Sequence, residues 1–495
     1  MIPVESFAGE RIAIFGMGRS GLASVRSLLA GNATVYAWDD GEAGREAARK
    51  AGARAQEPEA WPWETLKALV LAPGVPLTHP KPHEVVLAAR KADVPIIGDV
   101  ELFAHAMAAH REQTGAAARC VAITGTNGKS TTTALSAHLL QRCGFEPQMG
   151  GNIGRPLLDL DPPTDKTVYV LELSSFQIDL THSLVLDAAV LLNVSADHLD
   201  RHGTIEAYAA VKGRIFSFLT EAGSAIIGVD DGFGQARCTA LRGGHTGPVV
   251  PVSVGKSLGT GIYVIDGTLW DGTVSQCAQV KNLQGLKGLP GTHNWQNAAA
   301  AFALVRALGG DASMVDAAFE TFPGLPHRIE TVGSAKGVLF VNDSKATNAE
   351  AAAKALVCFD PIFWIAGGRA KSDGIDGLSP YFRRVRKAFL IGEAQDVFAE
   401  TLEGRTTVAL CGTLEAAVAA ASEAAFAAVG ERPGVQPVVL FSPAAASFDQ
   451  FANFEVRGDV FRSLVADLVG ADLVDAEPDE AEGPQPTSTP HRESA

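Results

Sequence analysis

The chain has 495 residues, 46% of them hydrophobic and 20% charged, with 51 glycines; this excludes a disordered or fibrous chain and fits an α/β protein of about three domains. Its net charge is −15, from 41 basic and 56 acidic residues, so it lacks the basic stripe of a nucleic-acid surface, and any phosphate must be met by local loops and single cations. The N-terminus, with Glu5 and Glu10 ahead of Arg11, offers no basic or long apolar leader, and the Ala-rich run 414–429 is broken by Glu415 and Glu423, so a cytoplasmic protein without membrane insertion is expected.

Residues 11–15 read as a short apolar strand, Gly16-Met17-Gly18-Arg19-Ser20-Gly21 as a G-x-G-x-x-G turn, and residues 22–29 as a helix by apolar spacing. A second strand, 34–38, ends in Asp39, at the distance where a carboxylate binds a ribose hydroxyl. Alone, this unit suggests a dehydrogenase; a single glycine fingerprint is weak, and the next motif argues against that reading. Residues 68–75 and 94–98 add strands that end in loops, where open α/β sheets hold their ligands.

Residues 120–124 are an apolar, β-branched run fit for a buried strand, followed by Gly125-Thr126-Asn127-Gly128-Lys129-Ser130 and a helix from Thr131 onward. The glycines let backbone N–H groups turn inward, Lys129 can reach the β- and γ-phosphates of ATP, and Ser130 can ligate Mg²⁺. The spacing departs from G-x-x-x-x-G-K-[ST], because Ile123 stands where the first glycine belongs. Strand 167–171 ends in Glu172-Leu173-Ser174-Ser175, and an acid at a strand end beside a phosphate loop suits Mg²⁺. Strand 188–193 runs into Asn193-Val194-Ser195-Ala196-Asp197-His198, a polar loop in which His198 reads as a ligand or a substrate contact. Lys212 lies in the helical stretch 206–218 and, on sequence alone, reads as a solvated lysine. His293-Asn294-Trp295-Gln296-Asn297 opens an Ala-rich helix whose amides either read an adenine or cap that helix.

A third domain starts near His327-Arg328. Strands 338–341, 362–366, 388–391 and 438–441 each end in a polar or Gly-rich loop, the pattern of a parallel sheet with its site on one edge. Residues 476–495 are rich in Pro, Glu, Ser and Thr and are expected to form a disordered acidic tail. The six cysteines, Cys120, Cys143, Cys238, Cys277, Cys358 and Cys411, contain no C-x-x-C pair and are expected to be small buried hydrophobes in a reducing compartment.

In this order the motifs resemble the Mur ligases of peptidoglycan synthesis over nearly the whole chain up to the tail. The resemblance rests on the two glycine loops, Gly151-Asn152-Ile153-Gly154, Glu172-Leu173-Ser174-Ser175, Asp197-His198, His293 to Asn297, Leu325-Pro326-His327-Arg328 and Asn342-Asp343-Ser344-Lys345-Ala346-Thr347-Asn348. Ser442-Pro443-Ala444-Ala445-Ala446-Ser447-Phe448-Asp449-Gln450-Phe451 looks like the D-glutamate-adding branch, and the Asp-Asn-Pro-Arg motif of the diamino-acid-adding branch is absent.

The resemblance implies an α/β fold of three domains: a Rossmann-like UDP-sugar-binding domain (1–97), a P-loop ATP-binding domain (98–325) and a Rossmann-like amino-acid-binding domain (326–475), ahead of the tail. It implies an ADP-forming amide ligase that adds D-glutamate to UDP-N-acetylmuramoyl-L-alanine through an acyl phosphate and a tetrahedral intermediate. Such an enzyme works as a monomer on small-molecule substrates and takes ATP, two Mg²⁺ ions and CO₂ as a carbamate on Lys212. By the same resemblance Gly125, Thr126, Asn127, Gly128, Lys129, Ser130, Thr131, Asn297, Arg328 and Asp343 bind ATP. Lys129, Glu172, His198, Lys212 and Arg328 are the catalytic set; Ser130 and Glu172 hold one Mg²⁺, His198 and carbamylated Lys212 the second. Gly18, Arg19, Ser20, Asp39, Gly74, Asn152 and His198 bind the UDP-sugar, and Lys345, Thr347, Lys371, Ser447 and Phe454 bind D-glutamate. Two departures weaken the uracil contacts: Gly41 stands where some relatives have an arginine, and Ala72 replaces a serine.

Overall fold

The computed structural model describes residues 1–115, 118–370 and 374–469. Lys371 and the acidic tail, both singled out above, lie outside the described residues. The chain forms two compact units, Met1–Leu325 and the residues from Pro326 onward.

The first unit holds two sheets. Strands β1 (Arg11–Phe15), β2 (Thr34–Trp38), β3 (Arg54–Ala55), β4 (Leu66–Leu71) and β5 (Ile96–Ile97) form a parallel sheet in the order β3-β2-β1-β4-β5. The order reverses beside β1, so the loops after β1 and β4 diverge and leave a crevice at their carboxyl ends. The larger sheet comprises β6 (Arg119–Thr124), β7 (Glu146–Gly151), β8 (Thr167–Glu172), β9 (Leu186–Leu191), β10 (Leu219–Gly228), β11 (Val249–Val254), β12 (Ile262–Ile265), β13 (Thr268–Asp271) and β14 (Ala278–Asn282). Its order is β14-β13-β12-β11-β10-β9-β6-β8-β7, parallel up to β12 and antiparallel at the β12–β13–β14 edge. β8 is buried along its whole length, as a central parallel strand covered on both faces must be.

One face of the larger sheet packs on the helices Lys129–Arg142 and His293–Ala307, through Val121, Ile123, Leu135, Leu139 and the buried run Ala298–Leu304. The other face shares a single apolar cluster with the smaller sheet, in which Ile12 and Ile14 join Ala122, Tyr169 and Leu171. That shared core, with a 2.7 Å Arg26–Asp159 ion pair and the backbone bond Gly98 N–H to Leu180 O of 3.0 Å, makes the two sheets one unit.

In the second unit β15 (Glu330–Ala335), β16 (Val338–Asn342), β17 (Ile362–Gly367), β18 (Val385–Ile391), β19 (Thr407–Gly412) and β20 (Val438–Phe441) are ordered β15-β16-β20-β17-β18-β19. Only β15 runs antiparallel within this sheet. Alternate residues of β17 serve opposite cores, Trp364 on one face and Ile365 on the other.

The helical stretch 206–218 is two elements, a helix Ile205–Gly213 and a 3₁₀ segment Arg214–Phe218. All six cysteines are unpaired; Cys120 and Cys238 are buried, but Cys277 is exposed and the other three are half-buried, so the expectation of six buried thiols is corrected. Among the described residues no helix is long and apolar enough to cross a membrane.

Candidate active site

The phosphate loop leaves β6 and enters the helix Lys129–Arg142 through Gly125 (φ 154°) and Gly128 (φ 86°), conformations that a side chain resists. Asn193, just past the end of β9, ties the loop down: its Oδ1 accepts from Asn127 N–H at 2.9 Å, and its Nδ2 donates to Gln296 Oε1 at 2.8 Å. Thr126 accepts from Ser195 N–H at 3.0 Å. Asn297 is buried against Gly128 and bonded to Thr132 Oγ1 (3.3 Å) and Asn294 (2.8 Å), which places it inside the helix rather than at its cap.

Two lysines converge on one carbonyl. Lys129 Nζ donates to Gly125 O at 2.9 Å and Thr126 O at 2.8 Å, and Lys212 Nζ donates to the same Gly125 O at 2.9 Å. Lys212 is 1% exposed and lies 4.4 Å over the Tyr208 ring, so its reading as a solvated lysine is overturned. Helix Ile205–Gly213 turns this face inward, and periodicity cannot separate a buried lysine from a surface one. Burial, then the neighbouring charge of Lys129, push the Lys212 ammonium down to about 7, against Asp197 and Glu172, which raise it.

Glu172 pairs in register with Ile123 of the neighbouring strand, two residues before Gly125. Its Oε1 accepts from Asn152 Nδ2 at 2.7 Å, whereas the buried Oε2 has no hydrogen-bond partner among the described residues. A buried carboxylate oxygen left open in this way suits a cation. No group of three or more His, Cys, Asp or Glu side chains gathers as a ready-made metal site among the described residues. His198 stands at the N-cap of the turn Leu199–His202 with φ 52°, its half-exposed ring 3.5 Å from Asp197 and edge-on to Phe176.

At the smaller sheet, Gly18 caps the helix Arg19–Ala30, the position where helix N–H groups meet an anion. Asp39 Oδ2 accepts from Met17 N–H at 2.6 Å and Oδ1 from Gly41 N–H at 2.7 Å, so its carboxylate ties the two loops together. Arg45 Nη1 donates to Asp39 O and Asp40 O, with its guanidinium over Trp38. The Gly74 carbonyl accepts from Arg201, and Arg19 reaches Gly154 O at 3.5 Å.

The second unit gathers its residues around the ends of β16 and β20. Asp343 is buried, accepts from Ser442 Oγ at 2.6 Å and Ile329 N–H at 3.2 Å, and is pushed up to about 7 by that burial. Lys345 Nζ lies 3.8 Å over the Phe454 ring, and Thr347 N–H donates to Lys345 O. Ser447 is buried and Arg328 is half-buried. Arg457, which the sequence reading passed over, is 1% exposed and bonds Ser344 Oγ, Ser344 O and Ala445 O at 2.9–3.1 Å. It clamps the loop of Lys345 to the loop of Ser447.

Residues 123–305 match the Mur ligase middle domain, and residues 327–444 match the Mur ligase glutamate ligase domain. The chain is 50% identical over 473 residues to the UDP-N-acetylmuramoylalanine–D-glutamate ligase of Caulobacter vibrioides, covering 94% of this chain and 98% of the relative. With the enzyme of the same name from Rhodopseudomonas palustris the identity is 52% over 472 residues, 95% and 99% of the two chains. The chain belongs to the Mur ligase family. Among solved Mur ligases, the UDP-N-acetylmuramate-alanine ligase MurC of Thermotoga maritima shares the fold at a TM-score of 0.55 and 16% identity, over 92% of this chain and 99% of that one. A UDP-N-acetylmuramoyl-L-alanyl-D-glutamate–2,6-diaminopimelate ligase does so at 0.55 and 19%, over 88% and 91%.

The Mur ligase fold thus brings Lys129, Ser130, Glu172 and Lys212 to one loop, and Asp343, Lys345, Ser447 and Phe454 to one sheet edge. Arg201, Asn193 and Arg457 were missed. Asn193 had a signal, as a polar residue ending an apolar strand; Arg201 and Arg457 had none, because their partners are distant in sequence.

Proposed function

We propose that the chain is an ATP-dependent ligase that joins D-glutamate to UDP-N-acetylmuramoyl-L-alanine, with release of ADP and phosphate, in the synthesis of peptidoglycan precursors. Identity of about half over nearly the full length of the D-glutamate ligases supports the substrate assignment. The observation that carries the chemistry is the convergence of Lys129 and Lys212 on Gly125 O beside Glu172.

In this reading a carboxylate oxygen of the UDP-sugar substrate attacks the γ-phosphorus of ATP, the bond to ADP breaks, and an acyl phosphate results. The amine of D-glutamate then adds to the acyl carbon, loses a proton, and the tetrahedral intermediate collapses with departure of phosphate. Each step concentrates negative charge, so cations fixed in advance lower its barrier. Lys129 swings from the loop carbonyls to the β- and γ-phosphate oxygens, and the loop N–H groups cradle the chain of phosphates. Mg²⁺, when bound, supplies positive charge to those oxygens and to the acyl oxygen. Ser130 and the open Oε2 of Glu172 are the residues to hold one ion, with Asn152 orienting Glu172. His198 and Lys212 are assigned to the second. An amine lowered to about 7 is about half free base at neutral pH, the form that CO₂ requires, and a carbamate would turn this side chain into an oxygen donor.

Gly18, Arg19, Ser20, Asp39, Gly74 and Asn152 are assigned to the UDP-sugar, and Asn297, Arg328 and Asp343 to ATP. Lys345, Thr347, Lys371, Ser447 and Phe454 are assigned to D-glutamate. We infer a cytoplasmic monomer whose partners are these small molecules. A coupled assay of ADP release over a panel of amino acids tests the reading: turnover should require both UDP-N-acetylmuramoyl-L-alanine and D-glutamate. L-Glutamate should be slower on the order of 100-fold, because its amine is misplaced when both carboxylates are held. Equal turnover of the enantiomers, or preference for another amino acid, would overturn it.

A further inference from the structure

We infer that Arg201 is a positioning residue that couples occupancy of the UDP-sugar loop to the placement of His198; the inference rests on the ligase reading and deepens it. The Arg201 guanidinium is forked over two consecutive carbonyls, Nη1 to Gly74 O at 3.0 Å and Nη2 to Val75 O at 2.9 Å. Its face lies 4.7 Å over the ring of Phe176. It stands on the four-residue turn Leu199–His202, whose N-cap is His198. At the far end of that turn His202 Nε2 is 2.9 Å from Ser175 Oγ, and its ring stacks on Phe176 with 4° between the planes.

Phe176 therefore touches His198 edge-on, Arg201 through its cation and His202 by stacking. It follows Glu172 by four residues, so the segments carrying both proposed Mg²⁺ side chains meet on one ring. His198 itself is weakly held. Its side chain is 49% exposed, its ring meets Asp197 at 3.5 Å and packs edge-on with Phe176 and Tyr208 without a buried anchor, and its backbone sits in the left-handed region. What fixes its ring in space is the turn, and what fixes the turn on the side of the smaller sheet is the Arg201 fork. A ligand that orders the Gly74 loop aligns both carbonyls, seats the guanidinium and holds the turn; by linkage, an ion on His198 holds the turn and orders the loop. Lysine cannot replace the fork, because one ammonium does not span two carbonyls in a fixed plane.

The test measures binding as well as turnover. Affinity for UDP-N-acetylmuramoyl-L-alanine is determined by calorimetry with a non-hydrolysable ATP analogue, with and without saturating Mg²⁺. The natural protein should bind the UDP-sugar about 10-fold more tightly with Mg²⁺, within the usual range of coupling between sites. In Arg201→Lys and Arg201→Ala that factor should fall below about 2-fold, the half-saturating Mg²⁺ for ADP release should rise, and added guanidinium should restore part of the coupling to the alanine variant. Arg26→Ala, which removes another cation joining the two sheets, the one paired with Asp159, should lower thermal stability and leave the coupling intact. Absence of Mg²⁺ coupling in the natural protein, retention of full coupling in Arg201→Lys, or equal loss in Arg26→Ala would each overturn the inference. Absence of UDP-sugar-dependent ADP release in the natural protein would instead overturn the ligase reading beneath it.

Discussion

Two turns from strand through glycine into helix lie in the first unit, one closed by a carboxylate and the other by lysine side chains. After β1 a carboxylate closes the loop: Asp39 accepts from Met17 N–H and Gly41 N–H. After β6 two lysine side chains share Gly125 O, with Lys129 as the loop's cation. Both turns need glycine, Gly16 at φ 95° and Gly128 at φ 86°, because a side chain resists those conformations. If each turn holds a nucleotide as proposed, the charge around it decides whether the nucleotide is merely held or is activated. In the proposed reading, the loop closed by a carboxylate orients hydroxyl and N–H donors, and the loop with the Lys129 cation draws charge onto a phosphoryl group as it transfers.

The comparison breaks most visibly at Lys129. Lys129→Ala should reduce turnover by about 10³-fold or more, because a phosphate-loop cation acts mainly on the transferring group. UDP-sugar affinity, measured by calorimetry, should stay within about 2-fold. Loss of both together would mean that the two loops do not divide the work by charge.

Lys212 comes next. Lys212→Ala and Lys212→Arg should both fall by about 10²- to 10³-fold, since neither can form a carbamate at neutral pH, and acetate should restore part of the alanine variant's rate. Its titration has a definite sign. A folded value of about 7, against roughly 10.4 unfolded, means that between these values the unfolded chain binds more protons than the folded one. Stability from this group therefore rises with pH across that window and is lost as pH falls toward 7. Enzyme stripped of CO₂ should regain activity on adding bicarbonate, with a midpoint near pH 7. Indifference to CO₂ together with an active Lys212→Arg would refute the carbamate.

How much of this was legible in the sequence follows from the range of each interaction. β1, β2 and β20 fall at the expected residues, because strand propensity and alternation are local. The strand expected at 188–193 lies at Leu186–Leu191, and Asn193 falls past its end, where its side chain holds Asn127 N–H. Glu172 was legible as an acid at a strand end, but its bond from Asn152 was not, since that depends on β7 lying beside β8. Lys212 was least legible: its 1% exposure comes from helix Ile205–Gly213 packing onto a loop more than 80 residues earlier.

A smaller effect tests the other half of the comparison. Asp39→Asn keeps one acceptor but forfeits a charge-assisted bond to a loop N–H, which is worth about 1.5–3 kcal/mol. The KM for the UDP-sugar should rise about 10-fold, with the KM for ATP unchanged. A shift in the ATP constant would reverse the assignment of the two loops.

The smallest effects separate the two glycines of the first turn. A Cβ on Gly16 would stand 2.6 Å from Ala72 Cβ and 3.5 Å from Val75 Cγ2, at a φ of 95°. Gly16→Ala should therefore cost about 1–3 kcal/mol of stability, from backbone strain and crowding against β4's loop. Gly18 has φ −66°, and a Cβ there meets nothing within 4 Å, so Gly18→Ala should change stability by less than about 0.5 kcal/mol. The open space beside Gly18 has a use only if a ligand fills it. The second glycine of such a turn lets backbone approach a diphosphate, so Gly18→Ala should raise the UDP-sugar KM while denaturant midpoints stay level. If Gly18→Ala binds the UDP-sugar normally, the diphosphate does not lie against this helix start, and the first loop's role must be sought at Arg19 and Ser20 instead.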